Sequence, residues 1–239
     1  MSGAVISIHG LSHSYGQGKL ARQVLQDINI DFHPGEIAIV MGPSGGGKTT
    51  LLSLAGGLRS VQSGSVRVAG LELRGANRKT LLNVRRKIGF VFQAHNLIDS
   101  ISIRENVQIA LLVDAAATAA SSKRMALELL AKVGLADHAH KRPRELSGGE
   151  NQRAAIARAL VRAPQIIMAD EPTAALDRAS GREVVDLLRR LAREVGCTVL
   201  LVTHDTRILD IADRTLTLED GRIEESNRAS LAGIDRIRT

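Results

Sequence analysis

One glycine-rich stretch constrains this chain more than any other feature of its sequence, and it runs from Gly42 to Thr50. Its residues, GPSGGGKTT, match the pattern G-x-x-x-x-G-K-[ST] at every fixed position. The apolar run 37–41 before it is typical of a buried strand, and the run 50–55 after it is typical of the first turns of a helix. Because a strand, a glycine loop and a helix in this order form the setting in which the pattern binds phosphate, the stretch predicts a nucleotide site.

The chemistry of this loop follows from its residue types. Glycines allow successive backbone N–H groups to point at one phosphate, and the positive end of the following helix faces the same place. Lys48 adds a full charge for the β- and γ-phosphates, and the hydroxyl of Thr49 can ligate Mg²⁺. An ordinary glycine turn, the alternative, would need neither side chain. The predicted phosphate-binding residues are Gly42, Pro43, Ser44, Gly45, Gly46, Gly47, Lys48, Thr49 and Thr50.

Composition excludes several other classes of protein. The 239 residues are 44% hydrophobic with a mean hydropathy of +0.01, as expected of one globular domain. The longest apolar run, 107–120, contains Asp114 and is too short to span a bilayer, and no basic leader opens the chain, so we expect a cytoplasmic protein. The single cysteine, Cys197, excludes an internal disulfide framework and a cysteine zinc site.

The net charge of +7 fits a nucleotide, an anionic membrane surface or nucleic acid as a partner. Aromatic residues make up only 2% of the chain, with no Trp, one Tyr and three Phe, so platforms on which single-stranded bases could stack are nearly absent. We therefore expect no nucleic-acid partner, and favour a nucleotide together with a site next to a membrane.

Two carboxylates end a second predicted strand, in the run 166–171. Asp170 is placed to hold Mg²⁺, directly or through water, opposite Thr49. Glu171 could polarise a water molecule for attack on the γ-phosphate. The alternative is a strand that simply ends in two solvated acids. The phosphate loop elsewhere in the chain favours the catalytic interpretation.

A capped helix that begins at Ser147 is the second informative stretch. Ser147 and Glu150 have the residue types and spacing of a capping box. Gly148 and Gly149 in the first turn each cost about 1 kcal/mol relative to alanine, which a merely well-capped helix would not need. Because bare N–H groups at a helix N-terminus bind anions, the stretch predicts a second anion site.

Three further residues are candidates on weaker signals. Tyr15, the only tyrosine, lies in a predicted loop and is either a base-stacking aromatic or a surface residue. Gln93 ends the predicted strand 88–92, where it either reaches a metal or water or only terminates the strand. His204 follows the predicted strand 198–203 and either donates to a γ-phosphate or is structural.

The remaining segments set the organisation of the chain. Residues 5–8 and 28–32 are predicted strands, and 216–224 a hairpin around an Asp-Gly turn. Residues 101–142 are predicted to be a largely helical inserted lobe, and 115–122 within it a loose loop. The apolar strand at 198–203 predicts a sheet that is parallel in its centre.

In their order, these residues resemble the nucleotide-binding subunits of ABC transporters, over nearly the whole chain up to about Gly221. The resemblance implies that the phosphate loop is Walker A and that Tyr15 stacks on adenine. The other matches are Gln93 as the Q-loop, 146–153 as the signature, Asp170 and Glu171 as Walker B with its catalytic glutamate, 175–177 as the D-loop and His204 as the switch histidine.

The family's fold and chemistry become expectations for this chain. The expected fold is α/β of the P-loop NTPase class: a RecA-like core with an antiparallel β subdomain (1–93 and 150–225), an inserted α-helical subdomain (94–149) and a polar tail (226–239). The expected cofactors are ATP and Mg²⁺. The resemblance implies that Lys48, Glu171 and His204 are catalytic, that Gln93 also contacts ATP, and that the metal ligands are Thr49, Gln93 and Asp170.

The resemblance also explains the second anion site. Two copies would pair head to tail on ATP, so that one copy's signature residues act in trans on nucleotide held by the other. Those residues are Ser147, Gly148, Gly149 and Glu150. The homodimer would drive an integral-membrane permease from the inner face of the plasma membrane, and Gln93 with the helical lobe would meet that partner.

A finer match concerns the runs 58–64 (LRSVQSG), 93–97 (QAHNL) and 105–107 (ENV). They resemble the DevA-type exporter ATPases, which are similar to the macrolide-export and lipoprotein-release ATPases, and imply a periplasmic adaptor. A non-transporting ATPase that moves a membrane partner to regulate an envelope enzyme is an alternative, and an importer is another. A soluble DNA-repair or translation ATPase is disfavoured, because a tandem copy, a long coiled coil and zinc cysteines are absent from the sequence.

Overall fold

The computed structural model describes residues 3–112 and 118–226. The chain divides into two compact units. The first contains Met1–Arg85 and Thr198–Thr239, and the second contains Arg86–Cys197. Each unit combines strands with helices, so the architecture is α/β as predicted.

The strands, in chain order, are β1 (Ile6–Tyr15), β2 (Arg22–Phe32), β3 (Ile37–Met41), β4 (Ser63–Val68), β5 (Leu71–Glu72), β6 (Ile88–Val91), β7 (Ile166–Asp170), β8 (Thr198–Thr203), β9 (Arg214–Glu219) and β10 (Arg222–Ser226). The α-helices are α1 (Lys48–Ala55), α2 (Arg78–Arg85), α3 (Ile103–Gln108), α4 (Ala119–Lys132), α5 (Gly148–Leu160) and α6 (Arg178–Val195). Short 3-10 helices lie at Gly18–Leu20, Ile109–Leu111, Ala136–His138, Pro143–Glu145 and Thr206–Ile211.

An antiparallel sheet in the first unit has the strand order β2-β1-β4-β5. The sequence predicts only residues 28–32 of β2, but the strand begins at Arg22, which pairs with Tyr15 of β1. Pairing with the neighbouring strand, rather than the local pattern of this segment, extends β2.

Strand β1 is also longer than predicted, and Tyr15 is its last residue rather than part of a loop. Its pairing with β2 shifts register between Ile8 and Leu11 and at two later points. Gly10, inside the first shift, has a φ of +60°. Because each bulge moves the following side chains to the other face, simple alternation predicts only residues 5–8.

The strands around β3 in the first unit are parallel, as predicted for the centre of the sheet. β3 pairs in parallel with β8 on one side and with β9 on the other. β9 and β10 form the predicted hairpin. Its two turn residues, Asp220 and Gly221, have φ angles of +46° and +74°, the positive values that a two-residue type I′ turn requires.

The second unit contains the parallel pair β6 and β7 together with helices α3 to α6. The predicted helical stretch 101–142 is divided into α3, α4 and short 3-10 turns rather than one long segment. Thr118 and Ser121 form a capping box at the start of α4, so residues 119–122, predicted as a loop, are helical.

Other expectations concern residues that the structure does not describe. The rest of the predicted loop, 115–117, and most of the polar tail, 227–239, lie outside the described residues. Within the described ranges, no helix is both long enough and apolar enough to cross a membrane.

Candidate functional site

The predicted phosphate loop lies between β3 and α1, in the geometry that its motif requires. A Cβ atom added to Gly42, whose φ is +153°, would lie 2.1 Å from the carbonyl oxygen of Leu218, so only glycine fits there. Gly47 is the N-cap of α1 at a φ of +96°, and the first turn of this helix carries no acidic residue. The positive end of α1 is thus left without a compensating carboxylate from its own first turn, which favours an anionic ligand.

Lys48 is folded back onto this loop rather than extended into solvent. It is only 6% exposed. Its Nζ donates hydrogen bonds to the carbonyl oxygens of Gly42, at 2.8 Å, and Pro43, at 3.0 Å. The loop therefore holds a positive charge in place, next to backbone that can bind a phosphate.

Tyr15 is linked to the helix that follows the phosphate loop. Its hydroxyl lies 3.1 Å from Oγ1 of Thr50, in the first turn of α1. The guanidinium carbon of Arg59 lies 4.8 Å from the centre of the tyrosine ring. Tyr15 is 38% exposed, so part of its ring remains open to a ligand. The structure thus joins the predicted base-stacking residue to the predicted phosphate loop.

His204 lies at the same sheet edge as the phosphate loop. Met41 of β3 is in register with Thr203 of β8, and the two strands are parallel. Gly42 and His204 therefore each follow a paired residue at the carboxyl ends of neighbouring strands, where ligands bind in such sheets. His204 is exposed. The first unit brings together the phosphate loop, Tyr15 and His204.

Gln93 and the two carboxylates occupy the corresponding edge of the second unit. Val91 of β6 is in register with Ala169 of β7. Asp170 ends β7, Glu171 follows it, and exposed Gln93 lies two residues beyond β6. Parallel pairing therefore places all three at one edge of this unit, whereas the sequence predicts only that each lies at the end of a strand.

The capping box at the start of α5 is confirmed. The Ser147 hydroxyl accepts a hydrogen bond from the Glu150 N–H, and the Glu150 carboxylate accepts hydrogen bonds from the Ser147 N–H and hydroxyl at 2.7 Å each. These bonds lower the pKa of Glu150. A Cβ on Gly148 would lie 3.2 Å from the Leu176 side chain. The glycine-rich turn thus packs closely against the segment that precedes α6.

That segment ends at Asp177, the N-cap of α6. Its carboxylate accepts hydrogen bonds from the N–H groups of Ala179 and Ser180, at 2.9 and 3.0 Å, and from the Ser180 hydroxyl at 2.6 Å. These bonds, led by the one from the Ser180 hydroxyl, lower the pKa of Asp177. The D-loop predicted at 175–177 is therefore anchored at its end by a helix cap.

The donor types present determine which metal ion these residues could bind. Within the described residues, no group of three or more His, Cys, Asp or Glu side chains could hold a metal ion. The predicted ligands Thr49, Gln93 and Asp170 offer hydroxyl, amide and carboxylate oxygen. Such a set suits Mg²⁺, which is bound through one or two carboxylates plus substrate phosphates rather than by a complete protein cage.

Sequence reasoning missed the role of several residues around these sites. Arg59 and Gln62 belong to the 58–64 run, which the sequence marks only by resemblance, yet both contact the region of Tyr15. Arg158 donates to the backbone just after Gln93. No local pattern signals these contacts, because the partners are distant in sequence.

Comparisons with known proteins agree with this geometry. The family model described as "ABC transporter" matches residues 25–174. The macrolide export ATP-binding/permease protein MacB of Azoarcus sp. strain BH72 is 41% identical over 220 residues, which are 92% of this chain but 33% of that protein. The chain therefore spans about a third of the length of that relative. The lipoprotein-releasing system ATP-binding protein LolD of Anaeromyxobacter dehalogenans is 42% identical over 91% of this chain and 92% of its own length.

A solved structure gives the same result for the fold. The dimeric structure of the ATP-binding cassette MJ0796 in a post-hydrolysis state, bound to ADP and Pi, has a TM-score of 0.86 at 36% identity. The match covers 93% of this chain and 98% of that chain. This likeness confirms the predicted fold class, an α/β P-loop NTPase with antiparallel and parallel sheets.

Proposed function

The chain belongs to the ABC transporter family of ATP-hydrolysing cassettes, and from this premise we propose that it binds and hydrolyses ATP to power a separate membrane permease. The observation that carries the proposal is the phosphate loop. The first turn of its helix carries no acidic residue, and Lys48, only 6% exposed, is bonded to the loop carbonyls. A structural turn would gain nothing from holding a lysine there.

In the proposed mechanism, the first unit binds the nucleotide. Tyr15 stacks on the base, and residues 42–50 wrap the phosphates, with Lys48 neutralising the β- and γ-phosphates. His204 donates a hydrogen bond to the γ-phosphate. Thr49, Asp170 and Gln93 would hold Mg²⁺, which would supply further neutralisation of the phosphate charge.

The second unit supplies the base. Glu171 accepts a hydrogen bond from a water molecule and polarises it for attack on the γ-phosphate. Its position at the carboxyl end of β7, next to Asp170, supports this role. Glu150 is engaged in its capping box, and we propose that it contributes by fixing the turn that presents Ser147, Gly148 and Gly149.

That turn has its proposed partner in a second copy of the chain. Ser147, Gly148 and Gly149 present helix N–H groups to an anion, and a head-to-tail homodimer would place them against ATP bound by the other copy. The dimeric state of the MJ0796 cassette supports this proposal. Closure of the homodimer on ATP would then drive the permease.

The permease would dock on the second unit. An open groove of about 420 Å³ lies beside the segment that follows Gln93, and its lining is mainly apolar. It includes Phe90, Phe92 and Ile109, with Arg158 among the polar residues. We propose that residues 94–149 form the helical lobe that meets the permease, with 1–93 and 150–225 as the catalytic core. Docking there would hold the protein on the inner face of the plasma membrane.

The finer resemblance supports export. Residues 58–64 and 93–97 are similar to those of DevA-type exporter ATPases, and the relatives include proteins named for macrolide export and lipoprotein release. We therefore propose an export machine that includes a periplasmic adaptor.

The test is a pull-down from detergent-solubilised membranes of the source organism, using the Glu171→Gln protein with ATP. This change should leave binding intact and slow turnover by at least ~100-fold, the scale of losing a general base. The trapped dimer should recover a permease, and with it an adaptor. The Glu171→Gln, Lys48→Ala double variant, which should not bind ATP, is the control.

Each outcome discriminates between functions. A permease with an envelope hydrolase and no adaptor would favour the regulatory function over export. Recovery of soluble nucleic-acid machinery alone would overturn the transport function. Near-normal turnover of Glu171→Gln would remove Glu171 from its proposed role.

A further inference from the structure

Tyr15 is held by neighbours on more than one side. Its hydroxyl lies 3.1 Å from Oγ1 of Thr50. Its ring lies 5.1 Å from the ring of His13, edge to face at 82°. The guanidinium of Arg59 covers one face, 4.8 Å from the ring centre. A half-exposed tyrosine of no function would not need this enclosure.

Two residues that contact Tyr15 or the residue before it come from one short run, 58–64. Besides Arg59, Gln62 bonds to both backbone groups of Ser14, the residue before Tyr15. Its Oε1 accepts from the Ser14 N–H at 2.9 Å, and its Nε2 donates to the Ser14 carbonyl at 3.0 Å. The amide of Gln62 therefore takes the place of a neighbouring strand and fixes the end of β1.

In the part of the chain that the structure describes, no carboxylate competes for the charge of Arg59. This arginine is exposed, and no Asp or Glu among the described residues forms an ion pair with it. His13, beside the ring, is 3% exposed, and burial followed by the charge of Arg59 lowers its pKa. A neutral imidazole does not repel the guanidinium. The guanidinium therefore lies over the face of Tyr15 with no carboxylate of the described residues paired to it.

We propose that Arg59 and Gln62 are positioning residues for Tyr15: they cover one face of its ring and fix its backbone, so that the other face is presented to the base of the nucleotide. The inference rests on the proposed ATP-binding function. Its physical basis is preorganisation, because a ring already held in one orientation loses less freedom when the base stacks on it. The cation on the far face adds a cation–π contact that keeps the ring in place.

The test compares ligands with and without a base. The affinities of the whole protein for ADP and for inorganic tripolyphosphate are measured by calorimetry in the presence of Mg²⁺. Arg59→Met keeps the apolar stem and removes the charge, and should weaken ADP binding about 2- to 30-fold, the range of a cation–π contact from exposed to desolvated. Tripolyphosphate binding should stay the same, because the phosphate loop is intact.

Further variants separate positioning from general damage. Arg59→Lys should restore part of the lost ADP affinity. Gln62→Ala should weaken the binding of ADP and leave the binding of tripolyphosphate unchanged. Arg78→Met, at another exposed arginine, should bind both ligands as the unchanged protein does. Tyr15 is the only tyrosine and the chain has no Trp, so its fluorescence should become easier to quench with acrylamide in Arg59→Met.

Three results would overturn the proposal. Unchanged ADP affinity in Arg59→Met and Gln62→Ala would show that Tyr15 needs no support. Tighter ADP binding in Arg59→Met would show that the guanidinium occupies the place of the base. Equal losses for ADP and tripolyphosphate would show damage to the phosphate loop.

The Tyr15→Ala variant separates this inference from the proposed function. If Tyr15→Ala weakens ADP binding and Arg59→Met does not, the positioning role fails while base stacking stands. If Tyr15→Ala also binds ADP normally, base stacking fails and the inference fails with it. If the unchanged protein binds neither ligand, the ATP-binding function itself is wrong.

Discussion

The guanidinium of Arg158 donates a hydrogen bond to the backbone carbonyl of His95, with 2.7 Å between Nη2 and the oxygen. Its Nη1 donates to the carbonyl of Asn96. His95 and Asn96 both have left-handed backbones, with φ angles of +59° and +51°. Left-handed conformations of residues other than glycine cost roughly 1–2 kcal/mol each, so Arg158 holds a strained segment two residues beyond Gln93.

Replacing Arg158 by lysine should release this segment. Lysine keeps the charge but cannot bond two carbonyls with one planar group, and we expect a loss of about 1–3 kcal/mol in the free energy of unfolding. Urea denaturation measures it. Adding Asn96→Gly should recover part of the loss, since glycine adopts this backbone without strain. The control Arg144→Lys, at an exposed position, should change little, and an equal loss there would contradict the prediction.

Glu171 should show a conflict between stability and catalysis. It has a φ of +46° directly after β7. We expect the free energy of unfolding of Glu171→Gly to be roughly 1 kcal/mol larger than that of Glu171→Ala, because only glycine adopts the left-handed backbone without strain. Both variants lack the carboxylate, so the comparison cancels any contact that it makes.

Chemical denaturation and an ATPase assay test this pair together. Both variants should hydrolyse ATP far more slowly than the unchanged protein. Equal stability of the two variants would mean that the backbone at this position is not strained. Normal turnover in either would mean that the carboxylate is not the base.

The parts of the fold that the sequence predicts are those that depend on neighbouring residues. The phosphate loop, the Ser147 capping box and the Asp220 turn each occupy a few consecutive positions, so residue type and spacing define them. The position of His204 at the end of β8 in the first unit, and those of Gln93 and Asp170 at the ends of β6 and β7 in the second, follow because each residue ends or follows an apolar run.

What the sequence did not predict depends on contacts between distant segments. The bulges of β1 depend on pairing with β2, and they interrupt the alternation that would predict the second half of the strand. The guanidinium of Arg158 reaches His95 across 63 positions, and the left-handed backbone of Glu171 has no residue-type signal. Arg59 was visible only as part of a run of residues similar to a family.

His13 should make stability depend on pH. Burial, and then the positive charge of Arg59, lower its pKa below the ordinary value of about 6.5. The unfolded chain therefore takes up this proton at a higher pH than the folded chain. Stability present at neutral pH should be lost as the pH falls through about 6.5 towards the lowered value, by at most ~1.4 kcal/mol per unit of pKa difference.

Urea denaturation at a series of pH values from about 7.5 to about 5 measures this slope. His13→Phe keeps an aromatic edge against Tyr15 and removes the proton site, so its free energy of unfolding should fall less over this range. Burial, followed by the charge of Arg158, also lowers the pKa of His95. His95→Asn should therefore remove a separate part of the pH dependence of stability. The double variant should have the shallowest slope. Parallel slopes for His13→Phe and the unchanged protein would count against the prediction.

Lys48 should be needed for phosphate binding even where no base is present. Its ammonium bonds to the carbonyls of Gly42 and Pro43 and is the full charge within the loop. Lys48→Met preserves the apolar stem, and should weaken tripolyphosphate binding by about 10- to 100-fold, as for a lost hydrogen bond to a charged group. Lys132→Met removes an exposed amine that pairs with Glu194 at 3.6 Å, and is the matched control. The tripolyphosphate affinities of both variants are measured by calorimetry at low salt, because added salt would screen an exposed charge such as that of Lys132 more than a buried one such as that of Lys48. Comparable losses in the two variants would mean that the protein attracts phosphate through its overall positive charge rather than through this loop.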